Sequence, residues 1–215
     1  MTVGGIVDAV TPGKGGGRRT TRRRMLISAV EVLRERGAAG VTIDEVLARS
    51  KAPRGSVYHH FPGGRNQLLI EALQHAGDSM TAAIDNAASE GPMVLVRQFV
   101  DHWEEVLQES GFAAGCPVVA AAISTADEDP RLSDDAAEIF ERWRSALTRS
   151  FEADGFGADD SGALAITTIA AIEGAVVLCR SLRSAQPLRE VTDQLEFLIN
   201  GKKFVSRYGR PVVPQ

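Results

Sequence analysis

The chain has 215 residues, enough for one domain or two small ones and for a sizeable buried core. Its 44% hydrophobic and 24% charged residues are ordinary for a globular protein, no apolar run approaches a membrane span, and the N-terminal charges follow the weak apolar patch, the wrong order for a signal peptide. The net charge of −4 hides a split: positions 1–77 carry 12 Lys and Arg against 6 Asp and Glu, and the remainder 12 against 22.

A basic front and an acidic back suit a polyanion-binding end joined to something else, and the absence of secretion signals predicts the cytoplasm. Residues 1–20 are Gly-rich and aperiodic and read as a disordered basic arm. Within it "GKGGG" lacks the spacing of a phosphate loop. The run "RRTTRRR" reads either as a soluble tail or as an arm on nucleic-acid phosphates.

From Arg22 to Arg36, Leu26, Ala29, Val30 and Leu33 fall on one helical face, and Gly37 ends the helix. In "TIDEVLARS", Thr42 is an N-cap and Glu45 completes a capping box, with Ile43, Val46 and Leu47 as the buried stripe. After "SKAPRG" a third short helix is expected to begin at Pro53, with Val57 and Phe61 on one face, and to stop at Pro62-Gly63-Gly64. Three short helices with a tight turn between the second and third have the layout of a helix-turn-helix.

Everything legible beyond is helical. The spans expected are 66–88, then 93–110 with Val96, Phe99, Trp103 and Val106 in phase, and a short helix after Cys116-Pro117. Next come 133–153 with Phe140, Trp143, Leu147 and Phe151 in phase, 163–183, and 188–200 with Val191, Leu195 and Leu198 together. The span 163–183 is apolar almost all round, which predicts burial on most sides. The fold class is all-α. Its organisation is an arm (1–20), a helix-turn-helix head (21–65), a larger helical domain (66–202) and an unassigned tail (203–215).

The stretch "GSVYHHFPGG" decides between chemistries. Adjacent His59 and His60 diverge by about 100° on a helix and cannot share an ion, so no metal or cofactor is expected. No nucleophile elbow or Cys–His signature appears, and the acidic pairs are adjacent rather than convergent, so no catalytic residue is assigned. Cys116 and Cys179 read as small core residues, with a redox pair as the alternative. Phosphate and base contact remains. Arg54 is suited to guanine, Gly55 keeps the backbone close, and Ser56 offers a small hydroxyl. Tyr58, His59 and His60 follow as phosphate donors, and Arg65 stands at a helix N-terminus.

These residues resemble the TetR family of transcriptional repressors from about Arg22 to Leu73, through "GVTIDEVLARS", "PRGSVYHHF" and "LLIEAL". "APRGSVYHHFPGGRNQL", "GCPVVAAAIS" and "IEGAVVLCRS" are similar to its LmrA/YxaF-like branch. The resemblance implies a homodimer on a palindromic double-stranded DNA operator, with no enzymatic activity, no membrane association, and release by a small molecule in the C-terminal domain. It implies that Thr42 touches phosphate, that Arg54, Gly55 and Ser56 face bases, and that Tyr58, His59 and His60 flank the backbone. Arg65 stands where the family has lysine. Lys51 occupies a turn position that is usually glycine. The last two long helices, with Ala170, Ala171, Gly174 and Ala175, would form the dimer interface. Candidate effector contacts are Phe99, Trp103, Cys116, Phe140, Trp143 and Glu173. The competing readings are an all-helical small-molecule-binding protein or enzyme, and a thiol-sensing DNA-binding regulator.

Overall fold

The computed structural model describes residues 17–88, 90–124 and 131–208. Residues 1–16 of the expected arm (1–20), the "DEDP" break and the end of the tail lie outside them, whereas residues 17–20 of that arm are helical, as the first turn of α1. The described residues form helices α1 (Gly17–Gly40), α2 (Ile43–Ser50), α3 (Val57–His60), α4 (Gly64–Ala88), α5 (Pro92–Glu109), α6 (Pro117–Ala122), α7 (Leu132–Ala153), α8 (Ala158–Leu182) and α9 (Gln186–Tyr208), and no strand. Two compact units result, one from Met1–Ala83 and Ala113–Arg142, the other from Ile84–Phe112 and Trp143–Gln215. The sequence boundary at 65/66 falls inside the first turn of α4.

In the first unit, α1 keeps helical geometry to Gly37, whose φ of 72° and ψ of −176° break it where the sequence places the stop. Met25, Leu26, Ala29, Val32 and Leu33 are buried on its inner face, with Val46 and Leu47 of α2 and Leu68, Leu69, Ala72 and Leu73 of α4. Val57 and Phe61 are both fully buried, so the third short helix points these two side chains into the core. Burying a phenylalanine contributes about 1.5–3 kcal/mol. Gly77 lets α4 approach α7 closely: a Cβ there would sit 2.7 Å from Ile139 Cδ1. Pro53 does not begin the third helix. Its ψ of 138° keeps it extended, and a 3₁₀ turn over Arg54–Ser56 leads into α3.

In the second unit, α8 packs on α9 and both pack on α5. The buried side of α5 is Leu95, Val96, Val100, His102, Trp103 and Leu107, with Phe99 and Val106 only half-buried at its border. Along α9, Leu188, Thr192, Leu195 and Ile199 are buried, so the expected stripe is off by one position at both Val191 and Leu198, which are half-buried. Arg97 grips Glu196 (2.7 and 3.1 Å) and Arg189 grips Glu104 (2.6 and 3.1 Å), two bidentate pairs between α5 and α9. Arg97 holds the Glu196 carboxyl below the usual carboxylate range.

Two expectations are corrected here. The helix over 163–183 is not buried on most sides. Ile166, Val177, Leu178 and Leu182 are about half exposed or more, because only one face of α8 meets the rest of its unit. This helix also has the length and apolar composition of a membrane span, with a mean hydropathy of 2.0 over a window that is 39% buried. Thr167, Thr168, Glu173 and Gly174 interrupt its apolar residues, so the sequence shows no unbroken apolar run of that length. The unassigned tail is helical to Tyr208, and near its start Lys203 pairs with Asp154 (2.7 Å) and Lys202 with Asp160.

Candidate functional site

The second and third short helices are set by local chemistry. Thr42 Oγ1 accepts from the Glu45 amide (3.2 Å), which satisfies one of the free N–H groups of α2. The hydroxyl hydrogen of Thr42 stays available on an exposed residue. At the other end, Lys51 closes α2 in the left-handed region (φ 52°, ψ 34°), its amide bonded to Leu47 O. A non-glycine residue there costs roughly 1–2 kcal/mol. The exposed Lys51 side chain therefore projects from the turn itself.

Arg54, Gly55, Tyr58 and His59 are exposed on one side of the segment whose other side buries Val57 and Phe61. Tyr58 is 63% exposed, which is unusual for an aromatic side chain and leaves its hydroxyl to solvent. Nothing lies within 4 Å of a Cβ built on Gly55, so its surface is open. Ser56 Oγ donates to Pro53 O (2.6 Å) and is spent on closing the 3₁₀ turn. His60 is half-buried, with its ring edge-on to His59 (5.2 Å) and Phe61 (6.5 Å). The two imidazoles meet in a T-shaped contact, their planes at 67° to one another. Among the described residues no three metal-ligating side chains converge.

Arg65 is placed differently from the expectation that it aims at a phosphate. Its Nε donates to Val41 O (2.7 Å) and its Nη2 to Ala38 O (2.7 Å). The guanidinium thus ties the start of α4 to the α1–α2 connection, where Ala38 and Val41 are buried. A second brace escaped the sequence reading. The Gly63 amide donates to Gln67 Oε1 (2.8 Å), Gln67 Nε2 donates to Glu71 Oε1 (2.8 Å), and Arg22 pairs with Glu71. The Arg22 guanidinium lies 4.9 Å from the Phe61 ring centre. The i, i+4 spacing of Gln67 and Glu71 was visible in the sequence, but their long-range partner was not. Arg49 bonds both Glu35 (2.8 Å) and Glu45 (2.8 Å), joining α1 to α2 and lowering the Glu35 pKa.

In the second unit, Phe99, Trp143 and Glu173 line one pocket. Thr168, Ile169 and Ile172 share its α8 wall; the i, i+4 spacings Thr168–Ile172 and Ile169–Glu173 were the signal available for them. Ile84, Leu95 and Leu147 complete it. The recess measures about 320 Å³ including its mouth, of which about 20 Å³ is open to the centre of a water molecule. That is room for about one water. Trp103 is fully buried in the same unit but is not part of this lining. Cys116, which caps α6, and the half-buried Phe140 belong to the first unit and are not part of it either.

Both thiols are free and buried. Burial pushes the Cys179 thiol up, away from the thiolate that reacts.

A capped helix, a tight left-handed turn and an outward-facing third helix, in an all-helical chain, define a helix-turn-helix DNA-binding protein. Residues 26–72 match the bacterial regulatory proteins of the tetR family, and residues 92–194 match the LmrA/YxaF-like transcriptional regulator C-terminal domain. An HTH-type transcriptional regulator of Mycobacterium tuberculosis (Rv0196) is 40% identical over 83% of this chain and 93% of its own. HTH-type transcriptional regulator LmrA of Bacillus subtilis is 26% identical over 83% of this chain and 96% of its own. The fold is shared with the regulatory protein TetR from Rhodobacter sphaeroides, at a TM-score of 0.73 and 24% identity over 81% of this chain and 96% of that one. The chain belongs to the TetR family, in its LmrA/YxaF-like group, and is a DNA-binding transcriptional regulator rather than an enzyme.

Proposed function

We propose that the protein is a repressor that binds a palindromic operator as a homodimer in the cytoplasm and leaves it when a small molecule enters the second unit. The observation that carries this reading is the two-sided third helix. Val57 and Phe61 anchor it, so Arg54, Gly55, Tyr58 and His59 are held outward on a fixed frame. Arg54 would read a base edge, with Gly55 allowing close approach. Thr42, Lys51, Tyr58 and His59 would bind phosphates on either side. Ser56 and His60 support the segment through their internal contacts, and Arg65 braces it from α4.

The dimer would form through α8 and α9. On α8, Ile166, Ala170, Gly174, Val177 and Leu178 make an exposed apolar stripe at helical spacing, and on α9 Phe197, Gly201 and Phe204 make another. Phe197 is 76% exposed, and no neighbouring atom lies within 4 Å of a Cβ built on Gly174 or Gly201. Such notches between exposed apolar residues suit the close approach of a second copy's helices, and this accounts for the apolar length of α8 without a bilayer. Ala175 is buried within the unit and Ala171 half-buried, so the small residues divide between internal packing and the proposed interface.

Release would be a population shift. A ligand between α5, α7 and α8 favours the arrangement in which the two recognition helices no longer match successive major grooves. Fluorescence anisotropy with a labelled duplex from the gene's own upstream region tests the reading. Selective binding that weakens steeply from 50 to 200 mM salt is expected. Binding without sequence preference, or none, refutes it.

A further inference from the structure

The pocket in the second unit presents two polar side chains on an otherwise apolar wall. Thr81, Thr148, Thr167 and Thr192 each donate their hydroxyl to the carbonyl four residues earlier, the ordinary outlet for a helical threonine. Thr168 does not. Its Oγ1 is buried without a hydrogen bond, and the residue is only 2% exposed. A buried hydroxyl left so is destabilising unless something arrives to use it. Glu173 stands beside it, the only charged residue between Asp160 and Arg180. The rings of Phe99 and Trp143 belong to the same lining.

We propose that this pocket takes an organic cation, a protonated nitrogen carried on an apolar body. The Glu173 carboxylate would pair with the N–H groups, and the Thr168 hydroxyl would accept from the same head. The faces of Trp143 and Phe99 would attract the positive charge while covering the body. An anion would be repelled by Glu173. It would also meet a unit that holds 14 Asp and Glu against 10 Lys and Arg, counted over 84–112 and 143–215. A wholly apolar molecule would seal the Thr168 hydroxyl from water with no replacement partner. The space open at present holds about one water, so the cation must part the walls formed by α5, α7 and α8. Binding is thereby coupled to helix movement, which is what release from an operator needs. The proposal rests on the reading of the second unit as the effector domain.

The test uses the full chain with Trp103→Phe, leaving Trp143 as the fluorescent reporter. Three probes share one body: 4-phenylbutylamine, 4-phenylbutanol and 4-phenylbutyrate. The amine is expected to bind at least about tenfold tighter than the butyrate, as one charged hydrogen bond in a dry site warrants. Glu173→Gln should bring the amine to the level of the alcohol, and Phe99→Leu, which keeps an apolar wall, should narrow the amine's advantage. Circular dichroism reports whether each variant folds. Equal or tighter binding of the butyrate overturns the assignment. So does an amine preference that survives Glu173→Gln, or a failure of all three probes to give a saturable change. Operator binding without ligand is measured in parallel. If it is intact while the charge preference fails, the cation assignment alone falls, whereas loss of selective operator binding refutes the regulator reading itself.

Discussion

Replacing Arg65 by alanine separates a brace from a phosphate contact. The guanidinium makes two charge-assisted hydrogen bonds of 2.7 Å, to Ala38 O and Val41 O, and both of those residues are buried. Hydrogen bonds to charged groups are worth roughly 1.5–3 kcal/mol each. Arg65 is only half-buried, so water replaces part of what is lost, and about 2–3 kcal/mol for the pair is the expected cost. For a chain of this size each kcal/mol lowers Tm by roughly 2–4 °C, which predicts a fall of about 5–10 °C. Arg65→Lys keeps one donor and should recover about half. Thermal melts followed by circular dichroism measure this directly, and anisotropy on the operator duplex measures the DNA side. The brace predicts a large loss of stability and little change in the salt slope of binding. If Arg65→Ala melts with the wild type while the slope of log affinity against log salt falls by about 0.9, the side chain serves a phosphate and the reasoning is wrong.

Thr42→Ala removes the cap of α2 and should cost about 1 kcal/mol in urea unfolding, with weaker binding to every duplex alike. Lys51→Gly relieves a left-handed strain of roughly 1–2 kcal/mol but adds unfolded-state freedom of about 0.5–1 kcal/mol. It should therefore leave stability within about 1 kcal/mol of wild type, while the lost charge lowers the salt slope by about 0.9. Phe197→Glu places a charge on the exposed apolar face of α9 and should convert the proposed dimer to a monomer in sedimentation equilibrium; an unchanged mass would refute the α8–α9 interface. Glu35 has its pKa lowered in the folded state by its hydrogen bond to Arg49. Its contribution is thus complete above the unfolded value and is lost as pH falls below that value through the folded one. Urea midpoints at pH 7, 5, 4 and 3 should fall less steeply for Glu35→Gln than for wild type.

The helices of this protein were legible because their signals are local. Thr42 with Glu45, Gly37, and Pro62-Gly63-Gly64 act within a turn of where they stand, and the 3.6-residue period of Leu26, Ala29, Val30 and Leu33 needs no distant partner to be read. The outward Arg54, Tyr58 and His59 followed from the same logic, because Val57 and Phe61 claim the inner face. What depends on partners far along the chain was decided by tertiary structure alone. Arg65 finds carbonyls 24 and 27 residues before it, and Glu71 finds Arg22 49 residues away. An apolar period shows that α8 has buried positions, but not that one of its faces stays bare, since that depends on how many helices reach it. The family resemblance likewise suggested six candidate effector contacts, of which three line one pocket, and passed over Thr168. Whether a threonine bonds its own helix or turns to a cavity is settled by its rotamer and neighbours, which sequence spacing does not encode.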